Sequence, residues 1–204
     1  MRVAIGADHG GFELKRELMA TLTKKGFEVA DMGSYTPDSV DYPDIAAIVA
    51  FEVAKGNYPM GILIDGAGNG SAISANKIKG IRAAVCNNLF MASSAREHND
   101  ANILVLGAAQ TAFALALQIT ETFLTKPFGG GRHERRLNKI KTLEDANQKD
   151  IEKYTAPPKK LITGDDVRIA AKEKVSVIYY EKGAIVTDMA KELSFDLNVR
   201  LVER

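Results

Sequence analysis

Five short apolar runs, at residues 3–5, 27–29, 61–64, 81–85 and 103–106, alternate with longer stretches of helical spacing, and this rhythm constrains the chain more than any single motif. An unbroken run such as residues 62–64 suits a strand buried on both faces, as in a parallel sheet covered by crossover helices. Between the runs, Leu14, Leu18 and Leu22 recur every four residues and form one apolar stripe. Ile45, Ile48, Val49 and Val53 form another after Tyr42-Pro43, and residues 112–124 repeat the pattern. Right-handed crossovers then give an α/β, doubly wound, Rossmann-like parallel sheet of about five strands, with ligands at the carboxyl ends of the strands.

A length of 204 residues predicts one substantial domain over 1–150 and a smaller α/β appendage over 161–204. A linker is expected over 151–160, where Pro157-Pro158 cannot continue a helix. Residues 132–153 read as a long, charged helix with a thin stripe of Leu137, Ile140, Leu143 and Ala146, suited to docking or dimer contact. Beyond the linker the expectation is helix over 161–174, strand over 175–180, helix over 185–197 and strand over 199–202. So short a segment buries little and is expected to pack on something else.

A formal charge of +1 gives no electrostatic case for nucleic acid or an anionic membrane, so any anion binding must be local. No apolar run nears the roughly 20 residues that span a bilayer, and residues 1–5 enter a strand directly, which predicts a cytoplasmic protein. Cys86, the only cysteine, excludes an intrachain disulfide and any multi-cysteine metal cluster; it reads as core filler.

Chemistry concentrates where the run at 61–64 ends in Asp65 and then Gly66, Gly68 and Gly70. Glycines there let backbone N–H groups approach an anion, and a helix start adds its positive dipole. Asp8-His9 follows the first run, so neighbouring strands bring it to the rim that holds Asp65. The histidines, His9, His98 and His133, lie in polar or glycine-rich settings but lack an HExxH or HxH spacing, so no metal site is expected. Arg132 and Arg136, four apart, share one helix face and are able to clamp a phosphate; the plainer reading is a solvated basic patch.

Residues 2–15, Arg-Val-Ala-Ile-Gly-Ala-Asp-His-Gly-Gly-Phe-Glu-Leu-Lys, closely resemble the opening of type B ribose-5-phosphate isomerases. Asp41-Tyr42-Pro43, the loop over 66–77 ending Ser-Ala-Asn-Lys, Gly80-Ile81-Arg82-Ala83, Arg96-Glu97-His98-Asn99-Asp100 and Gly130-Gly131-Arg132-His133 follow in the order of that family, to which galactose-6-phosphate isomerase subunits are related. The resemblance covers about residues 1–148. It implies aldose–ketose isomerisation of a small phosphorylated sugar through a cis-enediolate, with no cofactor, in a homodimer or dimer of dimers whose sites lie between subunits. It also implies that His98 helps open the sugar ring, Asp8 holds a ring or hydroxyl oxygen, and His9, Arg132 and Arg136 bind phosphate. Asn99 and the amides of Gly66, Gly68, Asn69 and Gly70 would hold the enediolate oxygens and neighbouring hydroxyls.

Departures at three positions fall at the centre of this pattern. The family's usual proton-transfer base is a cysteine where this chain has Asp65, and a second branch uses glutamate where it has Ser71; Ala67 replaces a common hydroxyl. Asp65 is expected to be the base, since a carboxylate can shuttle a proton between adjacent carbons. The alternatives are that Asp65 caps the next helix in a non-catalytic sugar-phosphate-binding or assembly protein, or that another group does the chemistry. In the tail, residues 160–168 with Gly183-Ala184-Ile185-Val186-Thr187-Asp188-Met189-Ala190-Lys191-Glu192-Leu193 are similar to a segment attached to some bacterial microcompartment-associated enzymes, which implies an assembly partner; the other reading is a dimer-stabilising appendage.

Overall fold

The computed structural model of the chain describes residues 1–145 and 159–203, which fall into two units divided between Asp145 and Ala146. The first unit runs β1 (Arg2–Ala7), α1 (Phe12–Lys24), β2 (Glu28–Asp31), α2 (Tyr42–Ala54), β3 (Met60–Asp65), α3 (Asn69–Ala75), β4 (Ala83–Val85), α4 (Leu89–Asn99), β5 (Ile103–Gly107), α5 (Phe113–Thr125) and α6 (Arg132–Glu144). Its five strands are all parallel, in the order β2-β1-β3-β5-β4. This is the doubly wound sheet expected from the alternation of runs and stripes.

Alternate strand residues feed two cores. Val3, Ile5, Ile62, Ile64, Leu104 and Leu106 pack with Leu18 and Leu22 of α1, Ala92 and Ala95 of α4, and Ile119 and Phe123 of α5. Ala4, Leu63, Ile103 and Val105 face α2 and α3 on the other side. A Cβ on Gly6 would lie 2.8 Å from Ile45 Cγ2, and one on Gly61 would lie 2.8 Å from Val49 Cγ1, so both glycines are needed for α2 to sit this close. The buried face of α2 is Ala46, Val49, Ala50 and Val53, while Ile48 is exposed. The close approach selects alanine over the expected isoleucine.

The chain turns one way from β1 to β2 and crosses to the other side for β3, so the switch point lies between the carboxyl ends of β1 and β3. Lys15 of α1 braces the neighbouring loop. Its ammonium, fully buried, lies 2.6 Å from both Asp31 Oδ1 and the Ser34 carbonyl oxygen. The Ser34 N–H in turn donates to the Ala7 carbonyl at 2.6 Å.

Helix α6 realises the first part of the helix expected over 132–153; residues 146–153, with Ala146 of the stripe, lie outside the described residues. Its stripe is shallower than expected, with Leu137 half-buried, Ile140 and Leu143 exposed, and His133 the buried member.

The second unit is a three-stranded parallel sheet, β6-β7-β8, with β6 (Lys159–Ile162), α7 (Gly164–Lys172), β7 (Val177–Val186), α8 (Asp188–Asp196) and β8 (Arg200–Glu203). Its small core holds Ile162, Val167, Ala170, Ala190 and Val199. The helix expected from residue 161 begins at Gly164 instead. Thr163 forms a capping box with Asp166, which ends the strand and starts the helix at one residue. Thr187 caps α8 by its side chain alone, accepting from the Ala190 N–H. The linker expected to reach residue 160 overlaps β6 at Lys159 and Lys160; residues 151–158 lie outside the described residues.

Candidate active site

Asp8 and Asp65 meet at the switch point. The Asp8 N–H donates to the Ile64 carbonyl at 3.1 Å, and Asp8 Oδ1 accepts from the Gly11 N–H at 3.1 Å, which folds the Asp8–Gly11 turn over the end of β3. Both carboxylates are buried, with Asp8 8% and Asp65 5% exposed, whereas His9 and Asn69 reach into solvent. The turn after β5 closes the other side: Ala108 N–H donates to the Asp65 carbonyl at 2.8 Å and Gln110 Nε2 to the Ala67 carbonyl at 3.1 Å.

The side chain of Asp65 turns inward on its own loop. Oδ1 accepts from the N–H groups of Ala67, at 2.9 Å, and Gly68, and Oδ2 accepts from the Ser71 N–H at 2.9 Å. Of the amides expected to hold an anionic ligand, Gly66, Gly68, Asn69 and Gly70, the carboxylate takes Gly68, together with Ala67 and Ser71 on either side. Cys86 offers no substitute base: it is fully buried, and burial pushes its thiol up to about 12, leaving almost no thiolate near neutrality.

The other candidate residues lie elsewhere. His98 and Asn99 form the last turn of α4, which Asp100 closes in the left-handed conformation, φ 43°. Asp100 takes Arg96 Nη1 at 2.8 Å on Oδ1 and Arg82 Nη2 at 2.9 Å on Oδ2, and Arg82 Nε donates to the Asn99 carbonyl at 3.0 Å. Glycines at 130 and 131, with φ 61° and 56°, turn the chain sharply into α6. The His133 ring stacks on His98 with centroids 4.4 Å apart and planes 10° from parallel. His133 accepts from Arg132 Nε at 3.4 Å through Nε2, and Ser94 Oγ lies 3.1 Å from His98 Nδ1. Burial, then the neighbouring His98, Arg132 and Arg136, hold the His133 imidazole below its ordinary value; Glu97 opposes them.

Within one chain these two groups do not meet. Asp65 is in register with Gly107 at the carboxyl end of β5, while the Asn99 turn is tied to Arg82, ahead of β4, and to the residues before Ile103. Residues 103–107 separate the two edges by about 13 Å along the strand at ~3.3 Å per residue. Asp8, His9, Asp65, Gly66, Gly68, Asn69 and Gly70 therefore lie at the carboxyl edge, and His98, Asn99, Arg132 and Arg136 at the amino edge.

His133 is the member of the amino-edge cluster that had no assigned role in the sequence pattern. The α6 stripe carried the signal, since Leu137 and Ile140 extended one turn back land on residue 133. Ser94, one turn before His98, is the other. Among the described residues, no group of three or more His, Cys, Asp or Glu could hold a metal ion, and no helix is long and apolar enough to cross a membrane.

The sequence that builds this parallel sheet matches a known class of sugar isomerases over residues 3–140: the chain belongs to the ribose/galactose isomerase family. It is 43% identical to ribose-5-phosphate isomerase B of Escherichia coli over 143 residues, 70% of this chain and 96% of that protein. Ribose-5-phosphate isomerase B of Clostridium thermocellum shares its fold with a TM-score of 0.70 at 51% identity, covering 71% of this chain and 98% of that one. The Mycoplasma genitalium ribose-5-phosphate isomerase B, solved with bound ribulose-5-phosphate, superposes with a TM-score of 0.69 at 38% identity, covering 72% and 97%. The family match ends at residue 140, so the second unit lies outside it.

Proposed function

We propose that the chain interconverts the aldose and ketose forms of a small phosphorylated sugar through a cis-enediolate, at a site assembled from two copies of the chain. Ribose 5-phosphate and ribulose 5-phosphate are the first pair to test. The observation that carries this reading is the division of the candidate residues between opposite edges of one sheet, each half incomplete alone. A second copy, as a homodimer or dimer of dimers, supplies the missing half.

In this site Arg132 and Arg136 of one copy, with His9 of the other, hold the phosphate. His98 serves ring opening and Asp8 holds a ring or hydroxyl oxygen. Asp65 takes the proton from C2 of the open aldose and returns it to C1 while a proton passes from O2 to O1, leaving the ketose. For this an Asp65 oxygen leaves its amide partners, and the freed N–H groups receive the enediolate oxygen.

A second reading has its own support in the three amide bonds to Asp65: the carboxylate braces the loop, and the protein binds sugar phosphates without turning them over. Solvent-deuterium exchange into a panel of aldose and ketose phosphates separates the two. Exchange by the wild type that is lost in Asp65→Asn supports proton transfer by Asp65. Binding without exchange in the wild type refutes the isomerase, and undiminished exchange in Asp65→Asn removes Asp65 as its base.

A further inference from the structure

We propose that Ser94 and His133 are positioning residues for His98: they hold its Nδ1 edge and one ring face, and leave Nε2 as the nitrogen that meets the sugar. The role given to His98 rests on the isomerase reading above; its positioning does not. Ser94 and His98 are one helical turn apart on α4, so their side chains share a face, and Ser94 Oγ stands 3.1 Å from Nδ1. A serine hydroxyl is both donor and acceptor. It therefore pairs with Nδ1 whether that nitrogen carries a proton or a lone pair, whereas a carboxylate or carbonyl partner would keep the proton on Nδ1. The hydroxyl thus supports both forms of Nε2, as a reversible ring opening requires of a group that gives a proton in one direction and takes it in the other.

His133 supplies the wall. Its ring is 8% exposed and lies nearly parallel to that of His98, which prevents the smaller movements that would swing Nε2 away. The Arg132 guanidinium can only donate, so His133 Nε2 accepts and the proton of the neutral ring lies on Nδ1. That Nδ1 is buried and has no hydrogen-bond partner among the described residues. Its ring is therefore held by stacking on His98 and by Arg132, with no hydrogen bond from Nδ1 to any described residue.

The test compares Ser94→Ala, Ser94→Asp, His133→Phe and His133→Ala in the full chain. The readouts are the imidazole nitrogen shifts of His98, assigned by their loss in His98→Gln, and the pH profile of kcat against KM. Expected are a redistribution of the His98 tautomers in Ser94→Ala and a Ser94→Asp ring fixed with its proton on Nδ1. In both, kcat falls about tenfold, a fraction of the ~10²–10⁴ that acid–base catalysis provides, while KM holds. His133→Phe keeps the wall and retains more turnover than His133→Ala. Unchanged His98 nitrogen shifts in Ser94→Ala overturn the proposal whatever the turnover. Shifted nitrogens in a protein that shows no isomerisation uphold the positioning and count against the isomerase reading alone.

Discussion

Replacing Asp65 by asparagine keeps the shape of the side chain and removes one acceptor, so its effect can be worked out bond by bond. The carboxylate is 5% exposed and accepts from three backbone amides. In Asp65→Asn the carbonyl oxygen retains Ala67 and Gly68, but the side-chain NH2 faces the Ser71 N–H, donor against donor. One charge-assisted bond is lost and one buried N–H is left without a partner, which together cost about 2–4 kcal/mol. For a unit of this size that corresponds to a midpoint lower by about 5–15 °C. Thermal unfolding combined with urea titration measures it, with the urea midpoint falling and the slope unchanged. Hydrogen exchange at the Ser71 amide should accelerate in parallel. A loss below about 0.5 kcal/mol, the scale of an ordinary surface substitution, would refute the view that Asp65 braces the loop.

Lys15→Met fits the stem of the buried ammonium but leaves the Ser34 carbonyl without its donor and Asp31 with only the Gly33 N–H. Because Asp31 is 29% exposed, the expected cost is about 2–4 kcal/mol, below that of a fully buried pair, read from urea denaturation. The His133 imidazole is held below its ordinary value, so the fold favours its neutral form. Its contribution to stability is fully present above the ordinary histidine pKa of about 6.5 and is lost as pH falls toward the lower folded value. The groups facing it are His98 and Glu97 on α4 and Arg132 and Arg136 on α6, and the acid loss should shrink in His133→Phe when midpoints at pH 7 and pH 5 are compared. A chain ending at residue 157 should keep the fold of the first unit, since the second has a core of its own, and should turn over substrate only where it still pairs. Its mass in solution separates the two roles for the tail: a retained oligomer assigns it to recruitment, and a monomer to holding copies together.

The sheet was legible because its central strands β1, β3 and β5 are buried on both faces: runs such as residues 61–64 and 103–106 had no other place to go, and Leu18 and Leu22 could only cover them. Strand β6 was not, because Leu161-Ile162 is too short to show a period, and the Thr163–Asp166 box that ends it is a local hydrogen-bond pattern rather than a hydropathy signal. Placing Asp65 at the rim required only its position after an apolar run. That its oxygens turn back onto the amides of Ala67, Gly68 and Ser71 depends on a rotamer and on loop geometry that spacing does not encode. The same limit hid Lys15, a charged residue that sequence alone would place in water. The wide separation of His98 from Asp65 follows from strand direction, since a helix returning from β4 to β5 must end at the amino edge.

The division of the site between two copies is open to a direct measurement. Asp65→Asn and His98→Gln, each expected to be inactive alone, are co-expressed with different tags. The mixed dimer contains one site with both substitutions and one with neither. If random pairing occurs, ribose 5-phosphate isomerisation in the mixture recovers to about a quarter of the wild-type rate, and the purified mixed dimer to about half. A mixed dimer as inactive as its parents would contradict a site shared between subunits.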